Sequence, residues 1–176
     1  MAVHAVCETS NLRCVHYAER IWDAVADFDV DNGTIGYLDG VSVAGGVIYN
    51  FKAGTMEGKT PVLAHNPEWD ADTSRMTNQR KDKFYIKKGV PFRAYTLKEG
   101  DEFALSAEGF VGVPEIDKYV SVDANGKLAV ADAPVEGAVL VGKIMRKRQV
   151  GSTLVTGERT YGYARVMYMV KVESLA

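Results

Sequence analysis

The sequence predicts a mainly β protein: a small β-barrel or sandwich with a long polar loop and an N-terminal arm, and at most one or two short helices. Three observations predict it. Short stretches alternate apolar and polar side chains. Asn-Gly, Asp-Gly, Gly-Asp and Gly-Gly pairs punctuate them at regular spacing. Helical periodicity is thin, with one passable stripe.

That stripe lies near the start. In "HYAERIWDAVADF", Tyr17, Ile21, Ala24, Val25 and Phe28 recur at helical spacing. It overlaps "DFDVDNG", Asp27 to Gly33, where Phe28 and Val30 alternate with three aspartates as in a half-buried strand. A helix or arm entering a strand at about Ala26 satisfies both patterns. The aspartates invite a calcium-loop reading. Such a loop needs glycine at its sixth position and a bidentate acid at its twelfth. Counted from Asp27, those positions hold Asn32 and Leu38. The strand-and-turn reading is therefore preferred, with Asn32-Gly33 as the turn.

The strands then follow as "GTIGYLDG", "SVAGGVIYNF", "PFRAYTL", "DEFALS", "KYVSVD", "GKLAVA", "GAVLVGKIM" and "ARVMYMVKVE". The clearest hairpin is "YVSVDANGKLAVAD". Val120 and Val122 alternate before the turn, and Leu128 and Val130 after it. In the last strand, Val166, Tyr168 and Val170 share one side, and Met167, Met169 and Lys171 the other. Between the first and second groups of strands, "AHNPEWDADTSRMTNQRKDKF" is polar and aperiodic, a long loop at about 65–83. The expected division is an N-terminal arm over 1–31 and a β-rich domain over 32–176.

Bulk properties agree with a soluble globular chain. It has 176 residues, 47% hydrophobic and 25% charged, which is enough apolar material for a core. The formal net charge of −2 calls for neither nucleic acid nor an anionic membrane. No apolar run is long enough to span a bilayer, and the first residues lack the pattern of a secretory signal. Synthesis in a reducing cytoplasm is expected, with Cys7 and Cys14 as free thiols.

Candidate chemistry is sparse. "AGTMEGKT", Ala53 to Thr60, approaches a phosphate-binding loop, but its first position is Ala53. Pro61 and an extended "VLAHNP" follow where a phosphate-facing helix is needed. His4, Cys7, Cys14 and His16 are acceptable zinc ligands in a spacing that matches no common zinc pattern. None of the three histidines adjoins a nucleophile in a recognisable turn, and no Gly-x-Ser-x-Gly element exists. Asp101-Glu102 follow Gly100 at a turn and are expected to be solvated. The chain is therefore read as non-enzymatic, with no catalytic residue, no metal and no cofactor. Two basic clusters, "RKDKFYIKK" and "MRKRQ", suit phosphate contacts or an acidic protein surface. The slightly negative total charge disfavours nucleic acid.

The order of features carries a resemblance. "NGTIGYLDG" is followed by "TPVLAHNPEWDADTSRMTNQ", "FYIKKGVPFRAYTLKEGDEFALSAEGF", "PEIDKYVSVDANGKLAVAD", "VLVGKIMRKRQVG" and "ARVMYMVKVESLA". This resembles a family of small tailed-bacteriophage structural proteins encoded beside the major capsid protein, over roughly residues 32–174. The resemblance implies a virion protein on the capsid surface that binds the outside of the lattice and stabilises it, a decoration or cement protein. Its implied partners are the major capsid protein and other copies of itself, a trimer included. The alternative is a β-barrel ligand-binding or adaptor module elsewhere on the virion, such as a head fibre base or tail component. Candidate contacts are Tyr17, Ile21, Trp22, Phe28, Trp69, Arg75, Arg80, Lys81 and Lys83. Trp69 is an aromatic in a polar loop, a favoured anchor at interfaces and equally a plug for a barrel end.

Overall fold

The computed structural model of the chain describes residues 3–16, 20–42, 47–68, 80–151, 153–156, 159–162 and 164–176. The expected class is what forms: a closed five-stranded barrel, a seven-stranded sheet and very little helix.

The barrel uses β2 (Ile21–Val25), β3 (Ile35–Val41), β4 (Ile48–Ala53), β5 (Val62–His65) and β6 (Phe92–Thr96). Their order around the barrel is β2-β4-β3-β5-β6, and antiparallel pairing of β6 with β2 closes it. Within the barrel, β2 and β4 are the parallel pair. Alternation decides what lies inside. Ala24, Phe51, Val62, Ala64, Phe92 and Ala94 are buried together, joined by Ala26, Val30 and Ile86. A small barrel cannot hold a large side chain from every strand. Here three alanines leave room for Phe51 and Phe92, which meet edge to face at 5.3 Å. Gly36 serves the same end: a Cβ there would lie 2.4 Å from the Phe51 ring and 2.2 Å from the Lys52 carbonyl oxygen.

The sheet has the order β1-β7-β14-β11-β9-β10-β8. Its strands are β1 (Cys7–Glu8), β7 (Glu102–Ser106), β8 (Phe110–Val111), β9 (Tyr119–Val122), β10 (Leu128–Ala131), β11 (Leu140–Val150) and β14 (Arg165–Leu175). The hairpin forms in the expected register, with Val122 opposite Leu128 and Val120 opposite Val130. The two sides of β14 also separate as expected. Val170, with Tyr168 packed beside it, joins the main core, whereas Met167 and Met169 pack with Val6 and Ala104 on the other face. The main core takes Ile35, Leu63, Tyr95 and Leu97 from the barrel side and Phe103, Leu105, Val120, Leu128, Ile144 and Val170 from the sheet. Barrel and sheet thus share one apolar interior. Beyond β11, β12 (Thr153–Thr156) and β13 (Arg159–Gly162) pair as a hairpin.

The N-terminal segment is not free of the fold. Cys7 and Glu8 pair with Leu105 and Ala104, and Ile21–Val25 is a barrel strand. Ala5, Val6, Cys7, Leu12 and Cys14 are buried. The helical stripe does not form over its described part. The described helix is a single turn, α1 (Arg13–His16), and Ile21–Val25 is extended because Trp22 and Ala24 fill the barrel face. Thr34 to Val41 and Ile48 to Ala53 flank residues 43–46, which lie outside the described residues, as does most of the expected loop at 65–83.

"DFDVDNG" resolves into separate roles. Val30 makes a lone bridge to Ile86. Asn32 is buried and clamps the exit of β5: its Nδ2 donates to the Asn66 carbonyl, and its Oδ1 accepts from the Asn66 N–H, both at 2.9 Å. Gly33 has a φ of +89°, and a Cβ there would meet Leu105 at 2.4 Å and Cys7 at 3.1 Å. Only glycine satisfies both the backbone and the space. Asp27 faces Lys52 at 3.5 Å, Asp29 accepts from the Lys88 N–H, and Asp31 from His4. The three carboxylates serve three different partners.

Candidate functional site: an aromatic, cationic mouth of the barrel

The barrel interior is sealed at one end and open at the other. Phe28 packs on Phe51 at the sealed side, with Val30 and Ile86 buried next to it. At the open end each strand contributes one residue, two positions along from an inward-facing residue. These are Trp22 next to Ala24, Leu38 next to Gly36, Tyr49 next to Phe51, Val62 next to Ala64, and Thr96 next to Ala94. The period of two carries the inner face of all five strands out to one rim. The result is a solvent-open groove of about 630 Å³, within the ordinary range of ligand sites.

The groove is organised around Trp22. Its indole N–H donates to the Thr96 hydroxyl at 3.2 Å, and that hydroxyl donates to the Arg20 carbonyl at 3.0 Å. Tyr49 meets the indole edge to face at 4.9 Å. The Arg20 guanidinium lies over the ring, 4.9 Å from its centre, a cation–π contact. Lys59 and Lys98 complete a cationic rim, and Lys59 lies 3.9 Å from the exposed Asp39. The floor is apolar and the rim basic.

A second basic feature lies on the sheet. β11 pairs with β14 along its full length, but with β9 only over Val141–Lys143. From Met145 to Val150 no described strand runs along its other edge, and all six residues are exposed. A bulge between Ile144 and Arg146 turns Met145 outward and bends the strand there. The protruding edge carries Arg146, Lys147 and Arg148, the last of which pairs with Glu8.

The predicted contact residues scatter. Trp22 lies in the mouth. Ile21 is exposed on the outer side of β2, and Phe28 is half-buried at the sealed end. Arg80 precedes a one-turn 3-10 helix, Lys81–Lys83, whose first and last residues are the other two. There Arg80 forks onto the buried Asp82 at 3.0 and 2.6 Å, Arg165 approaches the same carboxylate at 3.8 Å, and Lys81 pairs with Glu68 at 3.3 Å. Burial pushes the Asp82 carboxyl up, but the Arg80 hydrogen bonds and the charges of Arg80 and Arg165 outweigh it and hold it below the ordinary range. Arg80 and Lys81 thus tie the chain down where it returns from the polar loop. Tyr17, Trp69 and Arg75 lie outside the described residues.

The remaining candidates are also placed. "AGTMEGKT" is a turn, with Gly54 and Gly58 at positive φ, and it runs into β5 instead of a helix. Cys7 and Cys14 are buried thiols that form no disulfide, and burial drives the Cys7 thiol well above its ordinary range, the opposite of nucleophile activation. His4 stacks on Tyr85 and donates to Asp31 at 2.7 Å, while His16 meets the Ser10 carbonyl. Among the described residues no group of His, Cys, Asp and Glu is arranged to hold a metal ion. Asp101 differs from expectation: it is fully buried and accepts from the Arg13 and Lys98 N–H groups at 2.9 and 2.7 Å, tying α1 to the start of β7.

Sequence reasoning missed Arg20, Leu38, Tyr49, Thr96 and Lys98 as a group. They come from separate strands, and no local spacing joins them. The findable signal was the alternation of "IWDAV", "IYNFKA" and "FRAYT", which orders each inner face without saying that the faces share one mouth.

Compared with known proteins, the chain matches no family model, no curated protein and no solved structure.

Proposed function

We propose that the protein is a non-enzymatic bacteriophage virion component that binds the outside of the capsid lattice and stabilises it. The observation that carries this reading is the outer half of β11: an exposed, basic strand with one hydrogen-bonding edge unpaired among the described residues. Such an edge is a template for strand addition by a partner, and backbone hydrogen bonds then supply affinity. Arg146 and Lys147 select an acidic strand, and they oppose self-pairing by placing like charges together. The ordered resemblance to small capsid-associated proteins supports the same reading. Many weak contacts repeated over a shell would add stability through avidity.

Expanded empty capsids heated with and without the protein test it. The expected result is a higher rupture temperature with saturating protein, and a smaller shift with the variant Arg146→Glu/Lys147→Glu. An unchanged rupture temperature at saturation would remove the stabilising role.

The barrel mouth favours a second reading, a ligand-binding or adaptor module elsewhere on the virion. Its preorganised Trp22 and cationic rim are the features of a binding groove. Saturable ligand binding by protein that ignores capsids of either form would favour it.

A further inference from the structure

We infer that the outer edge of β11 is a socket that takes one short extended segment of a partner protein in a single register, with acidic residues at two adjacent positions of that segment. The inference rests on the shell-binding reading for who the partner is; the geometry of the socket does not.

Four observations carry it. The first is which backbone groups are on offer. Ile144 turns both of its groups toward the β9 side: its N–H donates to the Lys118 carbonyl and its carbonyl accepts from the Asp117 N–H, both at 2.9 Å. Such groups alternate in direction along a strand, and the bulge at Met145 shifts the alternation by one residue. Lys147 and Gln149 therefore aim their N–H and C=O groups away from β14, at the edge along which no described strand runs. The second is where that edge begins. Among the described residues, Asp117 is the non-glycine residue with positive φ, at +69°. The Ile144 carbonyl holds its N–H, and the Lys143 ammonium lies 3.1 Å from its carboxylate. No described backbone hydrogen bond joins residues 112–116 to 145–150, so pairing stops at this turn and the socket has a closed end that sets the register. The third is length. Residues 145–150 are extended and exposed, which gives an edge of about 20 Å at the usual rise of a strand. The fourth is charge. Arg146 lies opposite Met169 and Lys147 opposite Tyr168, so the two cations stand on opposite faces of the sheet. Arg148 engages Glu8 and Lys143 engages Asp117, whereas Arg146 and Lys147 have no ion-pair partner among the described residues. A strand laid along β11 also places adjacent residues on opposite faces, so acids at two adjacent positions meet both cations.

Nucleic acid would answer the cations alone. The alternating N–H and C=O groups of Lys147 and Gln149 are matched by another peptide backbone, as in strand addition to a sheet edge. A second copy of this edge would set Arg146 and Lys147 against like charges. A foreign acidic segment fits where neither of these does.

The test uses the full isotope-labelled chain and a short synthetic peptide of valine and threonine with Glu-Asp at its centre. The comparison probes are its Gln-Asn counterpart and oligothymidylate. The inference predicts saturable shifts of the Lys147 and Gln149 backbone amides with the Glu-Asp peptide. The Gln-Asn peptide should bind about fivefold more weakly, the loss of two exposed ion pairs. Gln149→Pro keeps both cations and removes one outward N–H, which an edge strand tolerates. It should melt like the parent and bind the peptide about tenfold more weakly, the loss of about one backbone hydrogen bond. The amide shifts of the parent stand as a readout even where that variant does not fold. Amides of Lys147 and Gln149 unmoved by millimolar Glu-Asp peptide, equal binding of the Gln-Asn peptide, or shifts with oligothymidylate alone would each overturn it. Shell binding that is lost in Arg146→Glu/Lys147→Glu but intact in a folded Gln149→Pro would also overturn it and leave the shell-binding role standing. Peptide shifts in a protein that ignores shells would support the socket and remove that role.

Discussion

At the scale of single residues, the structure is governed by buried polar groups and by positions where no side chain fits. His65 is half-buried against Tyr95, and its Nδ1 finds no hydrogen-bond partner among the described residues. Burial lowers its pKa below the ordinary 6.5, although Glu68 and a hydrogen bond to the Cys7 backbone act in the opposite direction. The unfolded chain therefore takes up a proton that the folded chain resists. The associated stability is complete above about pH 6.5 and is lost as the pH falls toward the folded value. Denaturant melts between pH 7 and 5 should show that loss in the parent and a shallower slope in His65→Gln. Gly36→Ala should cost about 1–3 kcal/mol by overpacking, because the added carbon meets both the Phe51 ring and the Lys52 carbonyl. A thermal melt reads it directly. None of these roles was legible in the sequence. Asn32 looked like turn chemistry, yet its amide clamps Asn66; Asp101 looked solvated, yet it is buried under two backbone donors. A polar residue beside glycine reads as a turn either way, and only the chain that returns over it decides whether it is buried.

At the scale of elements, period-two patterning was enough for the strands that line a core. β9 with β10, β14, and β6 appear where alternation put them, because each has one face to bury. It failed at β2. "IWDAV" satisfies a helical stripe and a strand equally, and the barrel decides by needing Ala24 inside and Trp22 at the rim. This has a consequence for truncation. Removing residues 1–31 deletes β1 and β2, opens the barrel and uncovers the edge of β7. The product should be unfolded or aggregated by circular dichroism and size exclusion, not an intact domain lacking an arm. Hydrogen exchange should divide β11. Amides of Leu140–Ile144, flanked by β14 and β9, should be strongly protected, and those along the unpaired edge beyond Met145 should exchange faster. The bulge and the free edge were invisible beforehand, since "MRKRQ" reads as a solvated loop as readily as a strand edge.

At the scale of the whole molecule, the fold class was legible and the joining of barrel to sheet was not. Ile35, Leu63, Tyr95 and Leu97 lie on barrel strands or beside them, and they pack into the core of the sheet. That shared interior predicts one cooperative thermal transition, seen together by far-ultraviolet circular dichroism and by tryptophan emission. Two separated transitions would mean that barrel and sheet melt independently. The proposed shell-binding role draws on the sheet, where the basic edge of β11 beyond Met145 is exposed and unpaired among the described residues. Co-sedimentation of the purified protein with expanded empty capsids tests the central claim most directly. The account predicts saturable binding at a fixed ratio per coat subunit, weakened by Arg146→Glu/Lys147→Glu in a variant that melts like the parent. Absence of binding to expanded and unexpanded shells alike would contradict it.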